Sequence, residues 1–163
     1  MGNTTQTPVE VDLLRRLADF RHELLGFLHF SQRAAEAVGL QPQQHQLLLH
    51  LAGAPEGADP SIAYISERLG LRHNSAGELV DRCVESGLVQ RRQDAVDGRR
   101  VVVQLTEKGL NVLQRLSEDH ARELNELAPR LVRSLRRIQT AATKREGKPA
   151  GGQRAAAPRK AKS

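Results

Sequence analysis

The sequence predicts a mainly α-helical fold carrying one small β-hairpin, and three observations support that prediction. Apolar residues recur at steps of three and four along most of residues 12–140, the period of amphipathic helices. Only Phe20, Phe27, Phe30 and Tyr64 are aromatic, so the core rests on Leu, Val and Ala, a composition that suits helices better than a β-sandwich. One pair of β-prone runs, Leu88 with Val89 and Val101 to Leu105, flanks an Asp97-Gly98 dipeptide of the kind a hairpin tip requires. A chain of 163 residues is long enough for one domain with a real core and appended helices.

Residues 1–10 read as a disordered lead-in. From Asp12 the series Leu13, Leu17, Phe20, Leu24, Phe27 or Leu28, Ala34 or Ala35, and Val38 marks a long helix, and Leu14, Ala18, Leu25 and Leu28 widen its apolar face. A helix apolar on more than one side commonly packs on a partner subunit as well as on its own core. Gly39 is placed to end it. Pro42 sits near the first turn of a short second helix, Gln43 to Leu51, and AGAPEGADP (52–60) is a loop by composition. Ser61 can cap a helix over Ile62 to Leu69, Gly70 allows a sharp turn, and a further helix runs from about His73 to Ser86 with Ala76, Leu79 or Val80, and Cys83 inward. Gly87 closes it and the strands follow. Thr106 caps a long helix with the row Leu113, Leu116, His120, Leu124 and Leu127. Pro129 is expected to break that helix, and a last one continues through Leu131, Leu135 and Ile138.

The net charge of +6 and pI near 10.2 invite a nucleic-acid interpretation, but location matters. Residues 144–163 hold seven Lys or Arg against Glu146, which accounts for the whole +6 and leaves residues 1–143 neutral, with 18 charges of each sign. The tail, rich in Ala, Gly, Pro and Lys, is expected to be disordered. Cys83 is the single cysteine, so no intramolecular disulfide forms, which fits a reducing compartment. Without a secretory signal pattern or a membrane-length apolar run, the expected location is cytoplasmic and no membrane partner is expected.

Two short helices joined by a tight turn and followed by an arginine-rich hairpin make a winged helix-turn-helix, a unit that grips duplex DNA. The recognition helix presents Arg72, His73, Asn74, Ser75, Gly77 and Glu78 at its start. Arg72 can pair with guanine, Asn74 with adenine, and Glu78 can accept from cytosine; Gly77 leaves room for close approach. Arg82, further along, suits a phosphate or an internal ion pair. The hairpin offers Arg91, Arg92, Arg99 and Arg100 around Asp94 and Asp97. The competing interpretation of each residue alone is a solvated helix start or an exposed ion pair of little energetic value.

The segment LVDRCVESGLVQRRQDAVDGRRVVVQLTEKG (79–109) resembles the winged helix-turn-helix of the MarR family of bacterial transcription regulators. The likeness lies in Glu85-Ser86-Gly87-Leu88-Val89, in Asp97-Gly98-Arg99-Arg100, and in Val103-Gln104-Leu105-Thr106-Glu107-Lys108-Gly109, and extends less sharply over residues 12–140. The resemblance implies a homodimer joined by N- and C-terminal dimerisation helices (11–40 and 107–141), a DNA-binding lobe at 41–106, and a basic tail at 142–163 that the family does not require. It also implies a palindromic operator on double-stranded DNA, regulation by a small-molecule effector, and six helices. Arg99 at the wing tip would enter the minor groove, held by Asp97 through a charge-assisted hydrogen bond.

Phe27, Phe30, Ser31 and Arg33 on the first helix and His45 on the second combine aromatic surface, a cation and an imidazole. Together they suit an amphipathic ligand such as an aromatic or acyl carboxylate; singly, the phenylalanines read as core and His45 as solvent-facing. Neither His22 with His29 nor His45 with His50 has a strong metal-ligand spacing, so no metal or other cofactor is expected, and His120 reads as a satisfied packing residue. Cys83 on a buried face reads as inert packing rather than a peroxide sensor. No serine elbow, HExxH or phosphate loop appears, so no enzyme is expected. The sequence thus points to a DNA-binding regulator, a repressor in outline. The rival is a non-specific architectural DNA protein relying on its tail.

Overall fold

The structure, a computed structural model, describes residues 8–58, 60–93 and 101–146. Five helices and one two-stranded antiparallel hairpin follow in the order α1 (Pro8–Ala37), α2 (Pro42–Ala52), α3 (Ile62–Leu69), α4 (His73–Glu85), β1 (Val89–Gln93), β2 (Val101–Leu105) and α5 (Glu107–Glu146). Local chemistry explains most of the boundaries. Gln41 and Gln44 form a reciprocal capping box at the start of α2, with Pro42 in its first turn, where a missing N–H costs nothing. The Ser61 hydroxyl accepts from the Tyr64 N–H at 3.3 Å to open α3, and Gly70, at φ 62°, closes it in a left-handed turn. The Thr106 hydroxyl accepts from the Gly109 N–H at 3.1 Å to open α5.

The core lies where α2, α3, α4, the hairpin and the first turns of α5 meet. Leu47, Leu48, Ile65, Leu79, Val80, Val103 and Leu116 are all at most 1% exposed there. Burying each such side chain contributes roughly 1.5–3 kcal/mol. α1 and α5 pack along one another and carry this core at one end. The wide apolar face read on α1 is not covered within the single chain: Leu14, Leu17, Leu25 and Leu28 remain 38–54% exposed. No helix among the described residues is long and apolar enough to cross a membrane.

Three expectations are corrected. The break at Pro129 does not occur: α5 runs unbroken through it. A proline removes one helical hydrogen bond and crowds the carbonyl four residues back, but Asn125 and Pro129 are both exposed, so water can serve that carbonyl. Buried Leu127 and Ala141 hold the two halves of α5 against the rest of the fold. Six helices therefore become five among the described residues. The helices also reach into the stretches read as disordered, since α1 begins at Pro8 and α5 ends at Glu146.

Candidate nucleic-acid interface and the α1–α2–α5 junction

The start of α4 is held by the turn before it. The Ser66 hydroxyl donates to the Leu71 carbonyl at 2.6 Å, and the Leu71 N–H returns to the Ser66 carbonyl at 2.9 Å. Arg72 occupies the N-cap position in extended conformation without a capping bond, which leaves its guanidinium uncommitted to the helix. Arg72, His73, Asn74, Ser75 and Glu78 are exposed, while Ala76, Leu79, Val80 and Cys83 are buried behind them. A Cβ added at Gly77 would meet nothing within 4 Å, so this turn presents open space outward. Arg82 is exposed on the same helix.

The hairpin pairs Val89 with Leu105 through Gln93 with Val101, and the Val103 N–H donates to the Pro60 carbonyl at 2.9 Å, tying the preceding loop to β2. Arg91 forms an ion pair with Asp81 of α4, so its guanidinium is engaged within the protein; Arg92 is exposed beside it. Asp94, Asp97, Gly98, Arg99 and Arg100 lie outside the described residues.

A second constellation forms where α1, α2 and α5 meet. His120 of α5 lies edge-on to Phe27 and Phe30 of α1, with centroids 6.0 and 5.5 Å away, and its Nε2 is 2.7 Å from the Ser31 hydroxyl. Its Nδ1 is 2.6 Å from the Leu116 carbonyl, which only accepts. In the neutral ring Nδ1 therefore carries the proton, and the Ser31 hydroxyl donates to Nε2. His45 of α2 completes the cluster with its ring 4.7 Å from that of His120. It is 4% exposed, not solvent-facing, because α2 turns this side toward the junction. Burial, and then the neighbouring His120, push its pKa down to about 4.

Phe27 and Phe30, but not Ser31 or His45, also line an adjoining cavity of about 310 Å³. Arg33 lines it too, with Glu23, Glu123 and Arg130 making it more polar than the sequence suggested. Sequence reasoning placed His120 in packing only and missed that the cluster centres on it. The available signal was a titratable residue inside a row otherwise made of leucine. Among the described residues no group of three His, Cys, Asp or Glu is placed to hold a metal ion. Cys83 is fully buried, and that burial pushes its thiol up to about 11, opposite to what a reactive thiolate needs.

A helix held by a tight turn with its polar start exposed, followed by a hairpin braced against it, defines a winged helix-turn-helix protein. Residues 38–100 match the MarR family profile. The chain is 29% identical over 92 residues to the HTH-type transcriptional regulator MhqR of Bacillus subtilis (strain 168), covering 55% of this chain and 59% of that protein. It thus spans less than two thirds of that relative's length. A MarR family protein from Bacillus stearothermophilus has the same fold, at a TM-score of 0.61 and 23% identity over 85% of this chain and 99% of that one. A mutant MepR of S. aureus bound to an oligodeoxyribonucleotide superposes at 0.55 with 19% identity, covering 78% and 91% of the two chains. Over residues 38–100 the sequence is similar to the MarR family, and most of the chain shares the fold of a MarR family protein.

Proposed function

We propose that this chain is a cytoplasmic transcriptional regulator, a repressor that binds a palindromic operator as a homodimer and leaves it when a small amphipathic ligand binds. The observation that carries the proposal is the start of α4, where Arg72, His73, Asn74 and Ser75 stand exposed on a turn whose opposite face is locked into the core. Such a turn can enter the major groove with side chains that suit base edges, while Arg92 and the Asp97–Arg100 tip serve the backbone and minor groove. The uncovered leucines of α1, with Val132 and Leu135 of α5, supply an apolar surface for a second copy.

The switch would act at the junction of α1, α2 and α5. A ligand with an apolar body against Phe27 and Phe30 and an acidic end toward Arg33 would disturb the packing of His120 on His45. That packing joins α2, and through it α3 and α4, to the long helices. Half-sites about one helical turn apart tolerate little change in the spacing of two recognition helices, so ligand binding and DNA release are coupled.

The test is a titration at fixed salt of selected and scrambled duplexes with the full chain, with Arg99→Ala, and with a chain ending at Glu146. Arg99→Ala is expected to weaken binding to the selected duplex by at least about tenfold, roughly 1.4 kcal/mol, and the shortened chain to keep its selectivity. Unchanged binding by Arg99→Ala would remove the wing from the interface. Loss of all binding on shortening would transfer the function to the tail, as in an architectural DNA protein.

A further inference from the structure

The long helices carry the end of α5 far from the start of α4. Arg16 donates to the Arg137 carbonyl at 3.1 Å, Glu23 pairs with Arg130 at 3.3 Å, and the Ser31 hydroxyl meets His120 Nε2 at 2.7 Å. Residue numbers rise along α1 as they fall along α5, so the two helices run antiparallel. Their pairing passes Pro129 and keeps α5 one continuous rod beyond the core. At its other end α5 meets the hairpin, where Gly109 lies against the Leu88 carbonyl. From Gly109 to Glu146 the helix climbs about 55 Å at its usual rise per residue.

The dimer sets the direction of that climb. Half-sites one helical turn apart put each α4 roughly 17 Å from the two-fold axis. Leu135, exposed on the surface given to the second copy, stands about 40 Å along α5 from Gly109. Laid along the duplex, that surface would overshoot the axis and miss its counterpart. Turned sideways, the two-fold would send the helices to opposite sides. They meet by rising from the DNA, which leaves Glu146 roughly 50 Å above it.

The chain is most basic from this point on. Lys144, Arg145, Lys148, Arg154, Arg159, Lys160 and Lys162 stand against the single acid Glu146. Lys144 and Arg145 belong to the last turn of α5, and the other five lie outside the described residues. Backbone length bounds their reach: at no more than about 3.6 Å per residue, Lys148 stays within roughly 7 Å of Glu146 and Arg154 within roughly 29 Å. Only Arg159, Lys160 and Lys162 could return to the duplex under α4, and then only at full stretch. No aromatic, Leu, Ile, Val or Met accompanies these charges, so a lipid surface would find no apolar anchor. Lys and Arg spaced by Ala, Gly and Pro suit the phosphate backbone, which is bound through charge and counterion release whatever its sequence. A duplex already held also keeps its own neighbouring segments at high local concentration. We infer, on the dimer and the α4 contact proposed above, that residues 144–163 bind a second duplex segment, so that one dimer bridges two stretches of DNA.

The experiment immobilises the selected duplex on beads, loads the full chain, and measures capture of a labelled scrambled duplex from solution. The comparison is a full-length variant combining Lys148→Gln, Arg154→Gln, Arg159→Gln, Lys160→Gln and Lys162→Gln. The parent is expected to capture the label, with a steep loss as salt rises. The variant is expected to bind the beads within about twofold of the parent, which also shows that it folds, and to capture at least about fivefold less label. No capture by the parent, with bead binding intact, overturns the inference and leaves the α4 contact standing. Equal losses of bead binding and capture in the variant also overturn it, since the tail would then serve the same duplex. Capture of labelled poly-glutamate as readily as duplex, at matched charge, contradicts the choice of DNA. Equal binding of the parent to selected and scrambled beads removes the selective α4 contact, and the inference falls with it.

Discussion

His45 of α2 and His120 of α5 face each other with ring centroids 4.7 Å apart, and the first is almost wholly buried. Burial, and then His120, hold the His45 pKa at about 4, below its ordinary 6.5. Between those values the unfolded chain binds more protons than the folded one, so stability rises with pH there. It is fully present above about pH 6.5, declines as the solution is acidified, and levels off below about pH 4. The whole span corresponds to roughly 3 kcal/mol at most. Urea unfolding at pH 7 and pH 5 is expected to show this loss, and His45→Gln to flatten it. Equal pH slopes for parent and variant would contradict the burial of His45.

Gly109 and Gly77 should respond oppositely to alanine. A Cβ at Gly109 would lie 2.1 Å from the Leu88 carbonyl oxygen, a backbone atom that already accepts from Thr106. Gly109→Ala is therefore expected to cost at least about 2 kcal/mol by displacing the start of α5. At Gly77 the added methyl meets nothing, so Gly77→Ala is expected to stabilise α4 by about 0.5–1 kcal/mol. Thermal melts of the two variants give the comparison; a neutral Gly109→Ala would refute the close approach.

The ion pair between Asp81 and Arg91 joins the recognition helix to the first strand of the wing. Both side chains are more than a third exposed, so either alanine variant is expected to change stability by less than about 1 kcal/mol. DNA affinity should respond differently. If Arg91 positions the wing and does not itself touch phosphate, Asp81→Ala and Arg91→Ala weaken binding equally, and the double variant is no weaker than either. Additive losses would return Arg91 to the DNA surface.

Much of the fold was legible because it follows from local rules. Ser61, Gly70 and Thr106 act within a turn of their own positions, and α3 occupies the residues read for it, Ile62 to Leu69. Helical period places Ala76 and Cys83 inward with Leu79 or Val80, and the structure buries both of the latter. What escaped depends on distant partners. Pro129 reads as a break until packing on both sides holds α5 together. The burial of His45 was hidden because PQQHQLLLH does not say which side of α2 meets α5. Likewise, no local pattern could show that Arg91 is engaged by Asp81.

Sequence-selective binding through α4 is tested most directly by selection of bound duplexes from a random-sequence pool by the full chain at physiological salt. The expected result is enrichment of a palindrome with half-sites about one helical turn apart, with Arg72→Ala or Asn74→Ala relaxing the preference within each half-site and leaving the spacing unchanged. Recovery of unselected sequences, by the parent chain as by the variants, would contradict sequence-selective binding through α4.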